Sequence, residues 1–133
     1  MSGLEQHFVV PFERSFDARY GLEYLEPTRG RLTVTPELLG ADGTVSSGVY
    51  AAIGESLAST GTAVEVVPKG LVPFGRSNST QVVGEVASGV LEGLARCRAQ
   101  GPSEWLWDVE IGPPGDPPSA ISIVSIAIRQ KRV

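Results

Sequence analysis

Apolar and polar residues alternate along "EWLWDVEI". Trp105, Trp107, Val109 and Ile111 share one face, while Glu104, Asp108 and Glu110 share the other. A period of two marks a half-buried strand. "RLTVT" reads the same way, with Leu32 and Val34 on one side and Arg31, Thr33 and Thr35 on the other. "LEYLE" before it is a short strand, and "PTRG" between them is a turn. "LVPFGRSNSTQVVGEV" is extended, with a kink at Gly75, and "GVLEGLARCRA" is a further strand. "SAISIVSIAIRQ" is apolar on both faces, which places it well inside a sheet. "SFDARYG" forms a helical turn that Ser15 caps and Gly21 ends. "PELLGADGTV" and "GPPGDPP" are loops broken by Gly and Pro.

The period changes in "SSGVYAAIGESLASTG". Val49, Ala52, Ile53, Ser56, Leu57, Thr60 and Ala63 recur at helical spacing. Ser46 or Ser47 caps the start, the helix runs to about Val66, and Pro68 and Gly70 stop it. The order is two short strands, one long helix and four strands. That is an α+β fold, one helix packed on an antiparallel sheet. A length of 133 residues suits one domain, 1–133. The helix is so poor in charge that it must be covered nearly all round, and a sheet covers one side. A second subunit is expected to cover part of the rest.

Composition narrows the function. Hydrophobic residues make up 41% and charged residues 20%, as in an ordinary soluble domain. The net charge of −4 argues against nucleic acid and anionic membranes as partners. No segment reads as a signal peptide, and the longest apolar run, Ala120 to Ile128, is too short to span a bilayer. A cytoplasmic protein is expected. Cys97 is the only cysteine, so no internal disulfide forms, and it reads as a small core residue. His7 is the only histidine, which leaves a Cys-His pair without support. No metal-ligand spacing, phosphate-cradling glycine loop or repeat is found.

One acid remains to be explained. Glu55 stands on the helix face of Gly48, Ala51, Ala52, Ser59 and Thr62, a narrow column of small residues with room for an acyl chain or ring. At the helix start free amides and the dipole favour negative charge, and Gly48 lets a ligand approach. Seven residues put Gly48 and Glu55 about 10 Å apart along the axis. A reacting carbonyl needs nucleophile and oxyanion donors each at about 3 Å. If both groups act, the helix start of one chain must meet Glu55 of another.

"GVYAAIGESLAS", "KGLVPFGRSNST", "EWLWDV" and "SIVSIAIRQKR" together resemble the hotdog-fold acyl-CoA thioesterases, most closely the 4-hydroxybenzoyl-CoA thioesterase branch. The resemblance runs from about Leu38 to Trp107 and from Ser122 to Arg132. It implies a hotdog fold, a curled antiparallel sheet wrapped around one long central helix. Two units would pair side by side into a dimer, and pairs into a homotetramer. The substrate it implies is an acyl-CoA, with no cofactor beyond the CoA of that substrate. Glu55 falls on the catalytic carboxylate, and Ser59 on a hydroxyl residue that assists hydrolysis. Ser47 and Gly48 fall on the paired glycines whose amide polarises the thioester carbonyl. Ser103 and Arg132 fall on positions that contact the CoA nucleotide, and Arg129 and Lys131 add charge for its phosphates.

The chain departs from that pattern at several places. Ser46-Ser47-Gly48 replaces His-Gly-Gly, Gly40 replaces a Gln, Gly84 an Arg and Pro102 a Ser. The expected function is hydrolysis of a small acyl-CoA thioester, aromatic ones included. The alternative is a hotdog protein that binds an acyl-CoA or a pathway intermediate without cleaving it. Hydration of an enoyl thioester ranks last, since it wants a His with an acid. Asn78 either reaches the pocket mouth or satisfies strand backbone at the Gly75 kink, and the structural role is the one expected.

Overall fold

A computed structural model of the chain describes residues 11–131. A short helix α1 (Phe16–Tyr20) leads into the strands β1 (Glu23–Glu26) and β2 (Arg29–Thr33). The long helix α2 (Ser47–Val66) follows, then β3 (Leu71–Val82), β4 (Val90–Gln100), β5 (Glu104–Gly112) and β6 (Ala120–Gln130). The sheet order is β1-β2-β4-β5-β6-β3, and every neighbouring pair is antiparallel. β6 thus lies between two strands, while Ile121 and Ile123 on its outer face stay exposed. β3 forms one edge of the sheet, and α2 contacts every strand from β2 to β6.

The core sits between α2 and the sheet. Trp105, Trp107, Val109 and Ile111 of β5 are all buried, as their alternation requires. Tyr50, Ile53, Leu57, Ala58 and Val66 of α2 face them across the core. Glycines let helix and sheet come close. A Cβ on Gly54 would stand 2.6 Å from Ser122 Oγ, and one on Gly61 would stand 2.6 Å from Trp107 Cη2. The Trp107 indole N–H donates to Thr62 Oγ1 at 3.0 Å, and Thr62 Oγ1 donates to the Ala58 carbonyl at 2.9 Å.

Ser46 is the N-cap of α2, and Gly70, at φ 81°, ends the 3-10 turn Val67–Lys69 that prolongs it. The α-helix itself ends at Val66, as expected, and Pro68 lies two residues beyond in that turn. Several expectations shift. β2 starts at Arg29, so only Pro27 and Thr28 separate the first two strands. The loop after β2 holds a 3-10 turn at Pro36–Leu38 and a bridge between Leu39 and Val45. The buried stripe of α2 is wider than its spacing indicated, because Gly54 and Gly61 bury their backbone against the sheet, whereas Val49 and Ala52 are half-buried. Thr62 does not share an open column with Glu55, since the sheet has closed over the C-terminal half of the helix.

Part of the cover for α2 comes from this same chain. Asp17 of α1 accepts the Ser56 hydroxyl at 2.6 Å and the Tyr24 hydroxyl at 2.6 Å. Tyr24 Oη also lies 2.9 Å from Thr60 Oγ1, and Tyr20 Oη lies 3.1 Å from Ser56 Oγ. Burial pushes the Tyr24 hydroxyl well above the ordinary tyrosine range, and the Asp17 charge adds to the effect. Burial does the same to Tyr20, aided by the charges of Asp17 and Glu55.

Two outcomes are expected. Gly61→Ala forces a methyl group into the Trp107 ring and lowers stability by about 1–3 kcal/mol in urea unfolding. The raised tyrosines also set an alkaline limit. Their protonated forms are favoured in the folded state, so the stability they contribute is complete below about pH 10, where free tyrosine titrates, and is lost as pH rises further. Melting temperature should fall above about pH 10, and more shallowly in Tyr24→Phe, when each protein is referenced to its own value at neutral pH.

Candidate active site

The N-terminal half of α2 and the edge strand β3 enclose a groove of about 500 Å³ lined by Ser47, Gly48, Ala51, Ala52, Glu55, Asn78 and Thr80. Three of the four residues expected to act in catalysis thus share one surface. Ser59 stands half-buried one turn further along α2 and does not line the groove.

Glu55 is exposed, and among the described residues no hydrogen bond or ion pair holds its carboxylate. The side chain lies over the backbone of β3 at Gly75, where the register of β3 on β6 shifts between Gly75 and Ser77. An isolated Gly within a strand signals such a bulge or close approach, so this feature was readable in advance as the Gly75 kink.

The helix start keeps donors free. The N–H of Gly48 donates to Ser46 Oγ at 3.3 Å, a long bond. Ser47, the first helical residue, is exposed, and its N–H lies outside the helical ladder. The amide that the departure from glycine preserves is therefore the freer of the two.

Asn78 departs from its expected role. Its side-chain amide donates to the Ala51 carbonyl of α2 at 2.9 Å, and its carbonyl accepts the Thr80 hydroxyl at 2.7 Å. Thr80 Oγ1 in turn lies 2.7 Å from Ser122 Oγ. Asn78 so ties the helix to the edge strand and walls the groove, rather than serving the strand's own backbone. Sequence reading also missed Thr80, whose only signal was its place two residues on, on the same strand face as Asn78.

The expected nucleotide-binding residues gather elsewhere. Arg129 and Lys131 line a groove of about 670 Å³ with Val72, Phe74 and Gln130. The Arg129 guanidinium donates to the carbonyls of Ile128 at 3.1 Å and of Ser103 at 3.5 Å, so Ser103 stands beside it. Arg132 lies outside the described residues. Val72 pairs with Arg129 and Gly75 with Ile126. Strand alternation then puts Arg129, Val72 and Phe74 on the face turned away from α2, and Glu55 on the other. In one chain the two groups meet only around the β3 edge.

Two of the positions that depart from the expected pattern, Gly40 and Gly84, lie outside the groove lining and are held by backbone hydrogen bonds. The Gly40 amide donates to Thr44 O at 2.7 Å and that of Gly84 to Ser119 O at 3.0 Å. Cys97 is half-buried, and burial pushes its thiol up, the reverse of an activated nucleophile. Among the described residues no cluster of three or more His, Cys, Asp or Glu side chains is placed to hold a metal ion. No described helix is long and apolar enough to cross a membrane.

No protein-family model matches the chain. It is 34% identical over 102 residues to the Mycobacterium tuberculosis protein named "Putative esterase Rv1847", a match that covers 72% of this chain and 73% of that one. On the structure of that protein the fold superposes with a TM-score of 0.83 at 33% identity, covering 89% of this chain and 98% of the other. A Pseudomonas aeruginosa thioesterase superposes with a TM-score of 0.80 at 19% identity, covering 88% and 87%. A Bacillus halodurans protein solved with CoA gives 0.76 at 14% identity, covering 84% and 74%. The last two likenesses establish the shared fold, the expected hotdog. The identity to the mycobacterial protein goes further: this chain belongs to the family of that esterase-named protein, whose fold it shares.

Proposed function

We propose that the chain is a thioester hydrolase acting on small acyl-CoA substrates, aryl-CoA esters of the 4-hydroxybenzoyl type among them. The observation that carries this reading is the exposed Glu55 carboxylate, unpaired among the described residues, in a groove beside the edge strand β3. A free carboxylate is what the chemistry needs. It attacks the thioester carbonyl carbon, or it takes the proton of a water that does so. The carbonyl oxygen then gains negative charge, which exposed amides at a helix start are placed to hold. The carbon–sulfur bond breaks, and the CoA thiolate leaves and takes up a proton. Water that attacked directly leaves the free acid, whereas an acyl-Glu55 anhydride is then cleaved by water, which releases the acid and restores the carboxylate.

The spacing along α2 supports reading these amides as a second chain's, since one helix cannot present both to one carbonyl. β3 supports such pairing. It is a 12-residue edge strand with no partner on its outer side among the described residues. Paired edge to edge, two chains form one continuous sheet, and two such dimers form the tetramer. Ser103, Arg129 and Lys131 then meet the CoA phosphates from the outer face. The names of the mycobacterial relative and of the Pseudomonas thioesterase support hydrolysis, and the CoA in the Bacillus structure supports the ligand. The protein works in the cytoplasm, where CoA esters are made.

One observation favours a second reading, a binding protein without turnover. The Ser46 hydroxyl already occupies the Gly48 amide. A thiol reagent tested with aliphatic and aryl CoA esters, beside calorimetric titration, separates the two readings. Hydrolysis releases thiol, whereas heat of binding with no thiol selects the binder. Glu55→Gln should keep the fold, with stability within about 0.5 kcal/mol, because among the described residues no hydrogen bond or ion pair holds the carboxylate. Its kcat should fall by about 10²- to 10⁴-fold. Unchanged turnover in that variant would remove Glu55 from the mechanism.

A further inference from the structure

We infer that Gly75 is a positioning residue for Glu55, holding open the space in which its carboxylate rests. The inference deepens the hydrolase reading and depends on it. A Cβ at position 75 would stand 2.5 Å from Glu55 Oε1, 2.8 Å from Cδ and 3.4 Å from Cγ. All three atoms belong to the end of one side chain. None belongs to the backbone of α2 or β3.

The backbone gives no other reason for the glycine. The positive-φ residues are Gly21, Gly43, Gly70, Gly89 and Gly115, and Gly75 is not among them. Any side chain fits its backbone conformation, and Gly in a strand interior is unfavourable relative to Ala. The other close glycines behave differently. A Cβ on Gly54, Gly61 or Gly93 would strike packed core, namely Ser122, Trp107 and Leu57. Those positions serve the fold. At Gly75 a Cβ would strike only the acid.

The bulge completes the device. Gly75 faces α2 at the last residue before the register shift, on the edge strand that bounds the groove. A strand residue with a side chain would push the carboxylate off the strand and out along the groove. A displacement of about 1 Å at a reacting group costs up to about 10²-fold in rate.

The test is Gly75→Ala, assayed by thiol release from the best CoA ester, alone and combined with Glu55→Gln. The expected result is a kcat lowered about 10- to 100-fold, KM within about twofold, and a melting temperature equal to or above that of the parent. In the Glu55→Gln background the same substitution should change the residual rate by less than about twofold, because its effect passes through the acid. Full turnover in Gly75→Ala beside an inactive Glu55→Gln overturns this inference alone. So does a marked fall in melting temperature, or a loss of rate that persists in full without Glu55. Full turnover in Glu55→Gln, or no thiol release by the parent, overturns the hydrolase reading and this inference with it.

Discussion

The close approach of α2 to the sheet governs the rest of the structure. A 20-residue helix whose only charges are Glu55 and Glu65 cannot stand in water, and a flat sheet would leave most of it exposed. The solution is to bring the strands within backbone reach at Gly54 and Gly61 and to curl the sheet from β2 to β6 around it. On the flank away from β3, Asp17, Tyr20 and Tyr24 close over Ser56 and Thr60. What stays open is the strip between the first two turns of α2 and β3. Glu55 projects into that strip, so the groove is what remains once the apolar helix has been covered.

Much of the fold was legible because one period dominated each segment. The alternation in β5, the place of β6 inside the sheet and the cap at Ser46 all correspond to what is found. Errors arose where tertiary contact overrides local pattern. Thr62 falls in line with Glu55 by angle, yet Trp107 covers it. Arg29 and Gly30 read as turn, yet they pair with Leu94 and Gly93 of β4. Neither contact is local, and a periodicity argument sees only local neighbours.

The site was legible in its parts and not in its arrangement. Glu55 and the helix start declare themselves by spacing. That Arg129 and Lys131 open on the opposite face follows from the register of β3 on β6, which a bulge shifts by one residue. The hydrogen bonds from Asn78 to Ala51 and from Thr80 to Asn78 link residues that sequence distance keeps apart or leaves ambiguous. Chemistry-bearing residue types were visible, and the contacts that aim them were not.

The two tryptophans carry a practical consequence. Trp105 and Trp107 are 8% and 4% exposed, on adjacent inward positions of one strand, and the second reaches α2 through its indole nitrogen. Both chromophores therefore sit in the seam between helix and sheet. Intrinsic fluorescence excited at the indole band reports the integrity of that seam without any label, shifting to the red when water enters it. The molecule carries its own optical gauge of whether α2 is seated.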